Sequence, residues 1–78
     1  MARIDMKKII REHKPSIRTH DVVRTTYDVY EINGVKYLHL DTYGRPNRQF
    51  TEKISQTIQL DEENCILLVE LINKSFNR

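Results

Sequence analysis

One cysteine, two glycines and two prolines in 78 residues remove several classes of protein at once. With Cys65 alone, neither an internal disulfide nor a multi-cysteine zinc site can form, so nothing covalent supplements the core. Gly34 and Gly44 are the only glycines and each sits in a turn context, which leaves none for a P-loop, a GxGxxG turn or a GxSxG elbow. No apolar run approaches the roughly 20 residues of a membrane span. The start, Met1-Ala2-Arg3-Ile4-Asp5-Met6-Lys7-Lys8, lacks the uninterrupted apolar core of a signal peptide. A soluble, cytoplasmic chain without a membrane partner is expected. His13, His20, His39 and Cys65 show no CxxC or HExxH spacing, so neither a metal site nor a cofactor is expected.

What is present is an ordinary globular composition, 38% hydrophobic and 31% charged, enough for one domain. Surface scaling for 9.3 kDa gives roughly 5,000 Å² exposed when folded, against about 13,500 Å² for the extended chain. So small a core invites oligomerisation as a supplement. The net charge of +2 is unevenly spread. Residues 1–24 carry seven Lys or Arg against three acids, residues 25–60 balance four against four, and residues 61–78 hold four acids against two bases. A basic N-terminal arm on a compact core fits this gradient, either steering toward phosphates or serving solubility alone.

Along residues 3–13, Met6, Ile9, Ile10 and His13 share a stripe at helical spacing, with Lys7, Lys8, Arg11 and Lys14 around it. The pattern fits a short basic amphipathic helix stopped by Pro15, or a frayed arm. The expected division is therefore an arm or helix over residues 1–15 and a single α+β domain over residues 16–78.

From Asp21 to Tyr43, two runs rich in β-branched and aromatic residues flank Asn33-Gly34, the dipeptide that best tolerates positive φ at both turn positions. The two-residue turn sets Ile32 opposite Val35 and so fixes every pair behind it. One face receives Val29 with Leu38, Tyr27 with Leu40 and Thr25 with Thr42, an apolar surface expected to pack on the core. The other receives Ile32 with Val35, Tyr30 with Tyr37, Asp28 with His39, Thr26 with Asp41 and Arg24 with Tyr43. The Asp28–His39 pairing could serve as a general base; as an exposed cross-strand ion pair it would be worth under about 1 kcal/mol. No nucleophile or second acid accompanies it, so no enzyme is expected.

Residues 44–52 read as a turn-rich loop containing Arg45, Arg48 and Phe50. Lys53 to Leu60 alternate as a third strand, with Ile54, Ile58 and Leu60 on one side and Lys53, Ser55, Thr57 and Gln59 on the other. Asp61 can cap a helix running to about Phe76, Glu62 and Glu63 suit its positive end, and Leu60 can staple to Cys65. The fold class is thus α+β: an antiparallel meander of three or four strands with a C-terminal helix. The helix carries more apolar residues than one stripe holds. Cys65, Leu68, Val69, Ile72 and Phe76 are expected on the sheet, and Ile66, Leu67 and Leu71 on a second protomer.

On the polar hairpin face, Tyr30, Tyr37 and Tyr43 with His39 offer flat rings, and Arg24, Arg45, Arg48 and Lys53 surround them with positive charge. Rings plus cations are the chemistry of single-strand binding, in which bases stack at about 1–3 kcal/mol each while Lys and Arg track phosphates. The plainer alternative is a stabilising cross-strand tyrosine pair with solvated arginines.

The stretch Lys36-Tyr37-Leu38-His39-Leu40-Asp41-Thr42-Tyr43, a polar loop, then Ile58-Gln59-Leu60-Asp61-Glu62-Glu63-Asn64 and an apolar helix, resembles the positive cofactor four family of single-stranded-DNA-binding transcriptional coactivators and its small bacterial relatives. The likeness spans residues 21–76. It implies a curved antiparallel sheet with a C-terminal helix, dimerising so that paired sheets hold single strands, with Tyr43 at the aromatic position ending the strand before the loop. Two features depart from the family: Ser55-Gln56-Thr57 replaces a Lys/Gly-rich run before Ile58, and only Ser16-Ile17-Arg18-Thr19 could supply the further strand before the hairpin. The expected partners are single-stranded nucleic acid and a second copy of the chain. The alternative is a small protein-interaction module, a regulator or inhibitor of the kind mobile elements encode, with a protein partner and no nucleic acid.

Overall fold

A computed structural model describes residues 1–44 and 53–77. Four strands and one helix follow in the order β1 (Ala2–Arg3), a 3-10 turn (Met6–Lys8), β2 (Thr25–Ile32), β3 (Val35–Tyr43), β4 (Ile54–Asp61) and α1 (Glu62–Ser75). They form one sheet in the order β1-β4-β3-β2. The architecture is α+β, as the sequence predicts. No described helix is long and apolar enough to cross a membrane.

The hairpin follows its turn. Asn33 and Gly34 have φ of 52° and 80°, the left-handed region that two-residue hairpins require. The eight pairs from Thr25–Thr42 to Ile32–Val35 are those that this turn dictates. One further bond, from Tyr43 N–H to the Arg24 carbonyl at 3.0 Å, carries the ladder on to the Arg24–Tyr43 pair. On its other side β3 pairs antiparallel with β4, from Tyr37–Asp61 to Thr42–Gln56, then shifts register so that Tyr43 faces Ile54. The shift gives β4 one residue more than β3 at this end, a bulge of the kind that bends a strand.

The N-terminus departs from expectation. Residues 3–13 do not form a helix. Ala2 and Arg3 pair parallel with Ile58 and Gln59, and Ile4 N–H bonds to the Gln59 carbonyl at 2.9 Å. The fourth strand is therefore β1 on the β4 edge rather than residues 16–19. Only Met6–Lys8 coil, beneath an Asp5 cap that accepts from Lys7 N–H at 3.0 Å. An eleven-residue helix is marginal in water, and the backbone N–H of Met6 is taken instead by Asn64 Oδ1 at 2.7 Å. Met6 is buried by this docking.

At the other end, Asp61 caps α1 as expected, accepting from Asn64 N–H at 2.8 Å. Cys65 lies over the Leu60 carbonyl, Sγ to O 3.7 Å, which puts the two stapling residues together. Leu60 is the best-buried side chain, 1% exposed. The helix packs on β3 and β4 and makes no contact with β2. Cys65, Leu67 and Leu68 are half-buried, whereas Val69, Ile72 and Phe76, expected on the sheet, are exposed. Only the first two turns of α1 lie on the sheet. The β2 half of the expected core face is uncovered for the same reason, with Tyr27 74% and Val29 57% exposed.

Candidate functional site

The face of the sheet opposite α1 is built from alternate residues of each strand. β2 contributes Thr26, Asp28 and Tyr30, β3 contributes Tyr37, His39, Asp41 and Tyr43, and β4 contributes Thr57 and Gln59, because side chains two apart share a face and the registers align these rows. Arg3 joins the same face opposite Gln59.

The centre of this face is a connected polar chain. Gln59 Nε2 donates to His39 Nδ1 at 3.1 Å. With Nδ1 accepting, Nε2 carries the imidazole proton and donates to both Asp41 oxygens, at 3.0 and 3.1 Å. Thr57 Oγ1 donates to Asp41 Oδ1 at 2.6 Å, and Thr57 itself is buried. Asp41 thus receives both a ring N–H and a hydroxyl, and the His39 ring is locked from both nitrogens.

His39 was expected to pair with Asp28. Asp28 does face it in the register, but the Asp28 carboxylate accepts from Val29 N–H at 2.8 Å, and the imidazole turns to Asp41 on its own strand. A residue two along the strand lies on the same face and needs no cross-strand reach. The general-base reading loses its pair, and Asp41, hydrogen-bonded on both oxygens, holds the ring in place.

Rings cluster around this chain. The Tyr30 and His39 rings meet edge to face, with centroids 5.6 Å apart and planes at 83°, a favoured aromatic geometry. Tyr30 and Tyr37 are directly opposed in register. At the end of the hairpin away from the turn, Tyr43 OH lies 3.2 Å from Thr26 Oγ1, and the Arg24 guanidinium sits over the Tyr43 ring, 4.6 Å from its centroid. Lys53 is exposed one residue before Ile54, which faces Tyr43. Of the predicted site residues, Tyr30, Tyr37 and His39 therefore form one group and Arg24 and Tyr43 a second, with Lys53 beside the latter. Arg45 and Arg48 lie outside the described residues.

Asp41, Thr57, Gln59 and Arg3 are functional candidates that sequence reasoning did not single out. Asp41 carried a signal, the His-x-Asp spacing that places both side chains on one strand face. Thr57 and Gln59 stood on the polar side of the third strand, but their partners depended on pairing β4 with β3. Nothing in a two-residue strand could announce Arg3.

On the helix, Ile66 is 57% and Leu71 37% exposed, while Leu67 is half-buried. Among the described residues, no three His, Cys, Asp or Glu side chains gather into a metal-holding group. No family model, curated protein or solved structure matches the chain.

Proposed function

We propose that this chain is a single-stranded nucleic-acid-binding module, working as a homodimer, which takes bases on the sheet face opposite α1. The observation that supports it is the arrangement of rings on that face: Tyr30, Tyr37, His39 and Tyr43, with an arginine already stacked on one of them. Aromatic platforms accept any base, since every base has a π-face. The described part of the face carries Arg3 and Arg24 against Asp28, Asp41 and Asp61, so stacking rather than charge provides most of the binding. Modest affinity, a shallow salt dependence and little sequence preference follow. Single strands should bind better than duplex, whose bases are not available for stacking on side chains. A role as a transcription or replication accessory factor would fit such a module.

The homodimer rests on unused apolar surface. The chain exposes 7460 Å², about half again the roughly 5,000 Å² expected for a folded monomer of this mass. Its radius of gyration of 15.0 Å exceeds the about 11.5 Å of a compact chain this long. Part of the excess is the irregular segment 9–24. Tyr27 and Val29 on β2, with Ile66, Val69, Leu71 and Ile72 on α1, supply apolar surface that a second copy would cover.

The same surface favours the second reading, a protein-interaction module whose partner is another protein. Titrating a labelled oligothymidylate and a duplex of equal length at two salt concentrations separates the readings. Under the first, the single strand binds and Tyr37→Ala weakens it by about 1–3 kcal/mol. If no oligonucleotide binds even at low salt, where attraction is strongest, the protein-interaction reading replaces it.

A further inference from the structure

The registers align one row of residues across all four strands. Asp28 on β2 faces His39 on β3, which faces Gln59 on β4, which faces Arg3 on β1. With strands about 4.8 Å apart, the row spans the sheet from edge to edge. Its ends have opposite charge, an acid at the β2 edge and a base at the β1 edge. Phosphates are repelled from the first and attracted to the second.

At the β1 end the row opens into a shallow, solvent-open cleft of about 440 Å³, lined by Met1, Ala2, Arg3, His39, Thr57 and Gln59. The side of the cleft formed by β3 and β4 is ordered before anything binds, because His39 is held through Nδ1 by Gln59 and through Nε2 by Asp41. The bond to His39 uses one hydrogen of the Gln59 amide group. The other hydrogen and the carbonyl oxygen are the donor and acceptor that an amide presents to a base edge. Arg3 is exposed and forms the outer lip. β1 itself is fixed at that lip by its pairing with β4 and by the Met6–Asn64 bond.

We infer that this cleft is a nucleotide subsite at the end of the sheet face: one base lies against His39 and Gln59, and Arg3 takes its phosphate as the strand leaves over the β1 edge. The inference rests on the single-strand-binding reading and gives it a direction, from the tyrosines toward β1 and away from Asp28. It also assigns what discrimination among bases there is to Gln59, whose amide has a second hydrogen and a carbonyl oxygen beyond its bond to His39, whereas the Thr57 hydroxyl is given to Asp41 and the tyrosine platforms are indifferent to sequence.

The test compares wild-type protein with Arg3→Ala, Arg3→Lys, Gln59→Leu and Asp28→Asn by fluorescence anisotropy, with labelled oligothymidylate, oligocytidylate and oligoadenylate as probes. Arg3→Ala should weaken all three alike, by about three- to tenfold, and reduce the slope of log K against log salt by about 0.7, while Arg3→Lys restores the slope. Gln59→Leu should change the ratios among the three probes more than their mean. Asp28→Asn should bind as well as wild type or better. In wild-type protein, NMR signals of Arg3, His39 and the Gln59 side-chain amide should shift on adding oligothymidylate, a readout that does not depend on any variant folding. If those signals stay still, or if Arg3→Ala keeps wild-type affinity and slope while Tyr37→Ala loses binding, the subsite is wrong and the broader reading stands. If wild-type protein binds none of the probes, both are wrong.

Discussion

Asn64 accepts the backbone N–H of Met6 on its side-chain oxygen at 2.7 Å, 58 residues away along the chain. The same carboxamide donates through Nδ2 to Asp61 Oδ1 at 2.7 Å, so one side chain joins the N-terminal turn to the cap of the C-terminal helix. An exposed ion pair between Lys7 and Glu63, at 3.5 Å, lies beside it and adds little. Asn64→Ala should therefore free the N-terminus. The amides of Ile4 and Met6 should lose protection from hydrogen exchange while those of β3 keep it, at a cost of about 1 kcal/mol in stability. Unchanged exchange at Ile4 would show that the β1–β4 pairing holds without the clamp.

Gly34→Val should destabilise the protein by more than about 1 kcal/mol, measured by urea unfolding. A Cβ at Gly34 would meet nothing within 4 Å, so the cost comes from the backbone φ of 80° and not from a clash. Gly34→Asn should cost less, because asparagine tolerates the left-handed region better than any β-branched residue. Equal losses for the two variants would point to packing at the tip instead.

Acid should unfold the helix cap in a defined direction. The Asp61 carboxyl is held below its ordinary value of 3.8, first by the backbone N–H of Asn64, then by the Asn64 side-chain amide, with Arg3 and Lys7 adding attraction. A lowered folded-state pKa means that the unfolded chain binds protons first as pH falls. The cap's contribution is complete above the ordinary carboxylate value and disappears as pH drops through the lower folded value. Helical circular dichroism followed downward in pH should show this loss, and Asp61→Asn, which cannot titrate, should lack that part of the acid limb. An identical acid limb in the variant would assign the transition to other carboxylates.

The apolar outer surface of α1 predicts a dimer by ultracentrifugation at micromolar concentration. Leu71→Glu should shift the protein toward monomer and leave its circular dichroism unchanged, since Leu71 supports little of the described core. A monomeric wild type, with Leu71→Glu equally soluble and folded, would remove the dimer from the proposal.

Replacing the ring-locking carboxylate should reach the face indirectly. Asp41→Asn keeps the shape, and its remaining oxygen can still accept from Thr57 and His39 in the Oδ1 place, but its amide nitrogen takes the Oδ2 place and sets an N–H against the His39 Nε2–H instead of an acceptor. The His39 ring should become mobile, visible as broadened imidazole NMR signals, and oligothymidylate binding should weaken by about threefold or more through lost pre-organisation. Sharp, unshifted His39 signals would show that Gln59 and Tyr30 hold the ring unaided.

The sequence alone determined what depends on neighbours along the chain. Asn33-Gly34 selects its turn through backbone φ, the turn fixes the hairpin register, the period of two assigns each hairpin residue to a face, and Asp61 with the amide three residues on makes a cap. Each involves a few consecutive residues or a hairpin closed by two. Tertiary structure decided the rest. A two-residue parallel strand carries no periodicity, so the place of Ala2–Arg3 beside β4 was invisible until Asn64 and Gln59 were brought to it. The cross-strand register pointed to Asp28 as the partner of His39, whereas the folded ring bonds to Asp41, which also accepts from the Thr57 hydroxyl that β4 delivers. How much of α1 the sheet covers depended on where the helix crosses, over β3 and β4 and not β2, and a one-dimensional apolar pattern holds no record of a crossing point.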